Sequence, residues 1–484
     1  MDYEAVIGIE AHVELATHSK MFCGCSADFF GKEPNTHVCP VCMGYPGVLP
    51  VINEQAVAHA VRVGLALNCQ IAALFKFDRK NYTYPDLPKG YQISQYDLPL
   101  CRNGWTDIEA DGRVKRVAIR RVHLEEDTAK ESHVGPSSLV DFNRSGVPLL
   151  EIVTEPDLHS GEEARQLLIK LRSILRSLGV STADMAKGAM RCEPNVSVRP
   201  LGDPTLGVKT EIKNLNSFRS ARLAIEYEIR RQIQTLQAGG KVEQVTMGWN
   251  ERENRTVVQR SKEYAQDYRY FPEPDLPPLE LSAEYVAEVR ASLPELPDAR
   301  RDRFVETYGL RQSDAELLTS DSEVADFFEE TVASAPEHDV EAATVCNWIV
   351  GELFRLLNEG ALGISDSPVT PEALAQLLGQ VQKNVVNAST AKAVLADMFE
   401  TGRSSEAIIT ARGLDQISDP GQIESLVRAA VGDHPGPLQQ YMGGKDAIFG
   451  FFIGQVMRAS RGRADPQLVR EVLKAYLDRL RDSS

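Results

Sequence analysis

The alternation of apolar and polar positions starts within the first residues. In Ile7-Gly8-Ile9-Glu10-Ala11-His12-Val13-Glu14-Leu15 an apolar side chain recurs at every second position, the period of a strand with one buried face. Ile7, Ile9, Ala11, Val13 and Leu15 take the core face. Glu10, His12 and Glu14 line the other at steps of about 6–7 Å. This pattern predicts a strand over 5–15, and similar short runs predict strands over 114–124, 139–142, 149–154, 195–198 and 209–213. Helices are predicted over 162–178 and 219–236.

From about residue 296 the period lengthens from 2 to 3.6. Val345, Trp348, Ile349, Leu353 and Leu356 fall on one helix face. Thr370-Pro371-Glu372 is an N-cap followed by proline at the first helical position. The chain closes with helices predicted over 447–458 and 466–480; Asp465-Pro466 opens the second, and Leu468, Val472, Tyr476 and Leu480 run at i+4 steps. A chain of 484 residues exceeds one typical core. The expected organisation is α+β: a mixed or antiparallel sheet domain over 1–295, an all-α domain over 296–410 and a helical tail domain over 411–484.

Four of the eight cysteines change the picture. Cys23-x-Cys25 and Cys39-x-x-Cys42 are two close sulfur pairs in a stretch rich in Gly and Pro. Such spacing suits four thiolates around a tetrahedral Zn²⁺, a structural staple with no open position. Two pairs of free buried cysteines, or a redox dithiol, are the alternatives. The remaining cysteines are too sparse for a disulfide framework.

Lys+Arg 53 against Asp+Glu 69 leaves a net charge of −16, which excludes a general basic coat for nucleic acid. One local exception stands out near the end, where Arg458, Arg461, Arg463 and Arg470 cluster. Such charges are either a solvated face or an RNA contact. The sequence has no signal peptide, transit peptide or apolar span of about 20 residues, so a cytoplasmic protein with no membrane partner is expected.

Carboxylates recur on predicted strand faces. Glu10, His12 and Glu14 are joined by Arg121, His123 and Glu125, with Glu126 and Asp127 just beyond, and by Glu151 with Glu155. Three strands in one sheet would build an acidic floor, which calls for a cation. A half-solvated sheet face, or a metal-dependent hydrolase, fits the same residues. No Walker-type or dinucleotide glycine loop occurs, and no serine or cysteine amidase constellation. The stiff loop Arg79–Gln92, with Lys80, Tyr82 and Lys89, has the chemistry of a ligand wall.

Taken together, IGIEAHVEL (7–15), CPVCMGYPGVL (39–49), RKNYTYPDLPKGYQISQ (79–95), HLEED (123–127), DFNRSGVPLLEIVTEPD (141–157), RCEPNVSVR (191–199), TEIKNLNSF (210–218) and DYRYFPEPDLPP (267–278) resemble the B subunits of glutamine-dependent aspartyl/glutamyl-tRNA amidotransferases. The match is dense over about the first 280 residues. It is thinner beyond, at Gly454-Gln455-Val456-Met457 and the basic linker.

The resemblance implies a cradle-like catalytic domain with a zinc loop, and the ATP-using half of a heterotrimeric C–N ligase. An amidase (A) subunit and a small C subunit are the expected partners, with misacylated tRNA as substrate. The side-chain carboxylate of Glu-tRNA(Gln) or Asp-tRNA(Asn) is phosphorylated, and ammonia from the amidase displaces the phosphate. The resemblance further implies Mg²⁺ at Glu10, His12, Glu125 and Glu151, which with Lys130 form the expected catalytic set. The nucleotide falls to Lys80, Tyr82, Lys89 and Arg144, and structural Zn²⁺ to Cys23, Cys25, Cys39 and Cys42. Two departures occur: Thr128-Ala129-Lys130 stands where the family more often has Ala-Gly-Lys, and Glu193 where Asp is usual. The competing reading is a non-catalytic scaffold that binds tRNA and lines an ammonia channel.

Overall fold

A computed structural model describes residues 2–261, 267–414, 417, 419–460 and 462–482. The chain forms two compact units, Met1–Pro297 and Asp298–Ser484. In the first, the strands are β1 (Tyr3–Glu14), β2 (Gln70–Ile71), β3 (Leu74–Phe75), β4 (Asp78–Asn81), β5 (Tyr91–Ser94), β6 (Cys101–Ala110), β7 (Arg113–Glu126) and β8 (Lys130–Val134). They continue as β9 (Ser137–Asp141), β10 (Pro148–Thr154), β11 (Met190–Pro200), β12 (Thr210–Lys213), β13 (Val245–Asn250), β14 (Arg255–Ser261), β15 (Phe271–Pro272) and β16 (Leu279–Glu280). Nine of these make one sheet, in the order β14-β13-β12-β11-β1-β10-β7-β6-β2. Within this sheet, among the described residues, only β12 and β13 pair in parallel, so the sheet is mixed. A small sheet, β15-β4-β5, stands apart from it.

Helices α1 (Glu54–Ala66), α2 (Gly161–Ser177) and α3 (Phe218–Gln237) share the core with the sheet. Ile7, Ile9, Ala11 and Val13 of β1 are buried with Ala60 and Val61 of α1, Leu167 and Leu171 of α2, and Ala224 and Ile225 of α3. Burying each large aliphatic chain contributes about 1.5–3 kcal/mol. The period-2 apolar row of β1 therefore fixes one face of the sheet to the helices, and the alternate row, Glu10-His12-Glu14, lies on the opposite face. Helices α2 and α3 start where serine caps them: Ser160 Oγ accepts from Glu163 N, and Ser217 Oγ from Ser220 N, each at 3.0 Å.

Several sequence expectations are revised. Helix α1 lies in a stretch without a predicted helix; its small apolar residues are buried on most sides, so it shows no polar stripe, and Asn53 caps it. Strands β6, β13 and β14 fall outside the segments predicted as strands. Glu155 does not stand with Glu151: it lies just past the end of β10, beyond a register shift that takes the pairing from Val153↔Arg121 to Thr154↔Ile119. Its carboxylate instead meets Arg120 at 2.7 Å on the surface.

The second unit is helical and holds two apolar clusters. One gathers residues between Phe304 and Ile409, the other between Ile423 and Leu477. The helix-face row Val345, Ile349, Leu353 and Leu356 is buried in the first, though the helix passes through a π-turn at Ile349–Leu353. Thr370 and Asp419 cap helices that begin with proline. Among the described residues no helix is long and apolar enough to cross a membrane.

Candidate active site

Antiparallel register sets the site. Arg191 of β11 is paired with His12 of β1, His12 with Glu151 of β10, and Glu151 with His123 of β7. Directly opposed residues point to the same side of a sheet, so four charged or ionisable side chains form one row across four strands. The neighbouring row pairs Glu10 with Glu193. A cavity of about 310 Å³ opens above these rows. Glu10, His12, Lys80, Tyr82, Glu125 and Glu151 all line it.

His12 Nε2 lies 3.5 Å from Glu125 Oε1 and 3.7 Å from Glu151 Oε2. One ligand atom from each of His12, Glu125 and Glu151 can be chosen so that all lie within 4.8 Å of one another. Glu10 shares the cavity but stands outside this trio, and its Oε1 accepts from Asn195 Nδ2 at 2.9 Å. Behind the trio, His123 Nε2 is 3.1 Å from Glu151 Oε2, and Ser94 Oγ donates to Glu125 Oε2 at 3.3 Å.

Electrostatics separate the carboxyls. Burial first, then Glu151 and Glu193, push the Glu10 carboxyl above its usual range. Burial alone would raise Glu151 too, but His123 and His12 outweigh it and hold it well below. Burial works against the charge of Lys80, yet Glu125, Tyr270 and Glu151 hold its ammonium firmly protonated.

The donor set suits a divalent cation: two buried carboxylates and an imidazole converge in a cavity whose carboxylates outnumber its cations. Oxygen donors favour Mg²⁺, and the imidazole also admits Mn²⁺.

The cysteines form a separate cluster. Cys23, Cys25, Cys39 and Cys42 place their sulfurs within 4.8 Å of one another, with Cys39 and Cys42 at 3.9 Å. A Zn–S length near 2.3 Å makes a tetrahedron with edges of about 3.8 Å, so the loop fits zinc. The buried Lys20 ammonium stands 3.7 Å from Cys42 Sγ. The Cys42 thiol is pulled down to about 5, first by its hydrogen bond with Cys23, against burial, and further by the Cys39 amide and Lys20.

Residues 5–287 match the family described as GatB/GatE catalytic domain, and residues 326–477 match the GatB domain. Curated relatives align end to end. A Moorella thermoacetica protein is 53% identical over 481 residues, covering 99% of this chain and 100% of the relative. One from Thermoanaerobacter sp. (strain X514) is 52% identical over 480 residues, with 99% and 100% covered. Both are named as the B subunit of an aspartyl/glutamyl-tRNA(Asn/Gln) amidotransferase. This chain belongs to that amidotransferase B-subunit family.

Other residues that the resemblance implied for this family member do not line the cavity that holds His12. Lys130 is exposed at the base of the β8–β9 hairpin, opposite Asp141. Arg144 clamps a loop through the Thr128 and Ala129 carbonyls at 2.9 and 2.8 Å, with Asp127 3.6 Å away. Lys89 pairs with Glu126 and lines a different cavity, of about 250 Å³, beside the cysteine loop.

The His12 cavity is also lined by residues not singled out as ligands from the sequence. Lys213 Nζ lies 2.7 Å from Glu193 and 3.1 Å from Glu211, and Arg191 Nη2 lies 2.6 Å from Asp127. The signal was present in the alternation Arg191-Cys192-Glu193 and Glu211-Ile212-Lys213. In the tail, Arg458 and Arg470 are exposed, whereas Arg463 is engaged by the Gly413 carbonyl at 2.8 Å. Arg461 lies outside the described residues.

Proposed function

We propose that this chain activates the side-chain carboxylate of Glu-tRNA(Gln) or Asp-tRNA(Asn) with ATP and amidates it. A carboxylate oxygen attacks the γ-phosphorus, the bond to the β-phosphate oxygen breaks, and ADP leaves. Ammonia, released from glutamine by an amidase partner and led to the site, then attacks the acyl carbon. The new C–N bond forms as the C–O bond to phosphate breaks, and a proton is lost to a neighbouring base. The products are Gln-tRNA(Gln) or Asn-tRNA(Asn), ADP and phosphate.

The observation that carries this reading is the His12–Glu125–Glu151 trio sharing one cavity with Lys80. A divalent ion held there would supply charge neutralisation for phosphoryl transfer. The protein's own part is positioning. His12, Glu125 and Glu151 hold the acceptor side of the cavity, while Lys80 and Lys213 offer ammonium groups to phosphate oxygens. Tyr82 and Gln92 stiffen the wall through a 3.1 Å hydrogen bond. The zinc loop staples the entry to the fold, the amidase and small C subunits complete the enzyme, and exposed Arg458 and Arg470 steer the tRNA body by phosphate contacts.

γ-Phosphate release from ATP, measured with the assembled subunits and misacylated tRNA, tests the proposal. Wild type releases phosphate only when misacylated tRNA is present, and Glu125→Gln abolishes release while tRNA affinity is kept. Equal release by both proteins would move the chemistry elsewhere and leave the acidic row as a channel wall.

A further inference from the structure

Five of the chain's 14 tyrosines meet at the rim of the acidic cavity. They come from two segments far apart in sequence, 82–96 and 268–270. Tyr82 and Tyr268 line the cavity, with ring centroids 5.8 Å apart. Tyr84 follows Tyr82 at 6.4 Å, and Tyr270 follows Tyr268 at 6.0 Å. Tyr270 in turn lies flat against Tyr96, at 4.3 Å and an interplanar angle of 7°. The rings therefore form a continuous path from the cavity wall to solvent.

Backbone hydrogen bonds hold the end of that path. Tyr96 N donates to the buried Asp78 carboxylate at 3.0 Å. Asn81 secures the opposite segment, its N donating to the Tyr268 carbonyl at 2.9 Å and its Nδ2 to the Arg269 carbonyl at 2.8 Å. Phe271 pairs with Arg79 across β15 and β4. Yet the last ring of this fixed array is 54% exposed. Tyr270 covers one face of Tyr96, so the exposure belongs to its other face and edge. A core would bury that ring. A rigid aromatic face left open beside a charged cavity suits a flat, uncharged ring system.

We propose that Tyr96, backed by Tyr270, is a stacking platform for an adenine base. This rests on the proposed function, in which two substrates bring adenosine to this cavity: ATP, and tRNA through its 3′-terminal nucleotide. Aromatic stacking is tolerant of sequence and needs no hydrogen-bond code. It leaves the charged parts of either ligand to Lys80, whose ammonium lies 5.0 Å from the Tyr268 ring centre.

The test uses the chain assembled with its other subunits, in wild-type form and as Tyr96→Phe and Tyr96→Ala. Affinities are measured for ATP, for intact tRNA, and for the same tRNA lacking its terminal adenosine. Tyr96→Ala weakens one ligand by roughly five- to a hundredfold, and Tyr96→Phe keeps wild-type affinity. Loss confined to the intact tRNA assigns the platform to the acceptor end; loss confined to ATP assigns it to the nucleotide. Unchanged affinity for ATP and for both tRNAs in Tyr96→Ala overturns the proposal. Wild-type phosphate release is read separately, so failure of the platform is distinguishable from failure of the activation chemistry.

Discussion

His123 and Glu151 are register partners on adjacent antiparallel strands, and the imidazole Nε2 stands 3.1 Å from the carboxylate Oε2. Both are buried, and the other imidazole nitrogen has no hydrogen-bond partner among the described residues. The pair has one evident use: it fixes the orientation of a carboxylate that also faces His12. Outer-shell partners of this kind typically set metal affinity by about 10–100-fold.

His123→Leu is therefore expected to lower divalent-cation affinity by about that factor. Mn²⁺ titration followed by electron paramagnetic resonance reads it directly. An unchanged affinity, with the fold intact by circular dichroism, would show that Glu151 needs no such support.

The cysteine cluster predicts a stoichiometry. Purified wild type carries about one zinc per chain, and Cys42→Ser or Cys25→Ser carries none and melts several degrees lower. Elemental analysis beside a thermal melt checks this. Retention of metal in both variants would remove the cysteines as its ligands.

Glu228 predicts a pH dependence of stability. Its carboxylate is fully buried and accepts from Arg231 at 2.7 Å, Thr210 at 2.8 Å, Gln232 at 3.0 Å and Thr256 at 3.1 Å. Burial would raise its carboxyl, but these donors, Arg231 first, hold it below the usual range. The folded state thus binds this proton less readily than the unfolded state. Its stabilisation is complete above the ordinary glutamate range and is lost as pH falls through the folded value. Glu228→Gln costs about 2–3 kcal/mol at neutral pH. Urea midpoints from pH 7 to pH 3 should fall less steeply in the variant; parallel curves would contradict this account.

Gly104 is a packing constraint. A Cβ there would stand 2.3 Å from Cys69 Sγ and 2.5 Å from the Leu67 carbonyl oxygen. Gly104→Ala is expected to destabilise the first unit by about 1–3 kcal/mol through overpacking. Chemical denaturation gives the value, and a wild-type midpoint would mean that the α1–β6 connection yields without cost.

Much of the site was legible one strand at a time. Alternation alone placed Glu10 and His12 opposite the buried Ile7, Ile9 and Ala11, because side-chain direction along a strand has a fixed period of two. The spacing Cys23-x-Cys25 and Cys39-x-x-Cys42 likewise needs only local geometry. The caps at Thr370 and Asp465 are local signals too, and each begins a helix where expected.

Periodicity and motif were thus enough to say which face Glu10 and His12 take and which family the chain resembles. Neighbourhood came from the fold. The order β11-β1-β10-β7 brings Arg191, His12, Glu151 and His123 into one row, although more than 100 residues separate His12 from the others. Glu155 falls past the end of β10 and pairs with Arg120 at the surface. Lys89, Lys130 and Arg144 were drawn away by nearer partners or by exposure, and Lys213 was brought in. Local periodicity encodes direction, whereas strand order and register arise from burying the whole apolar face at once, and no single segment carries that information.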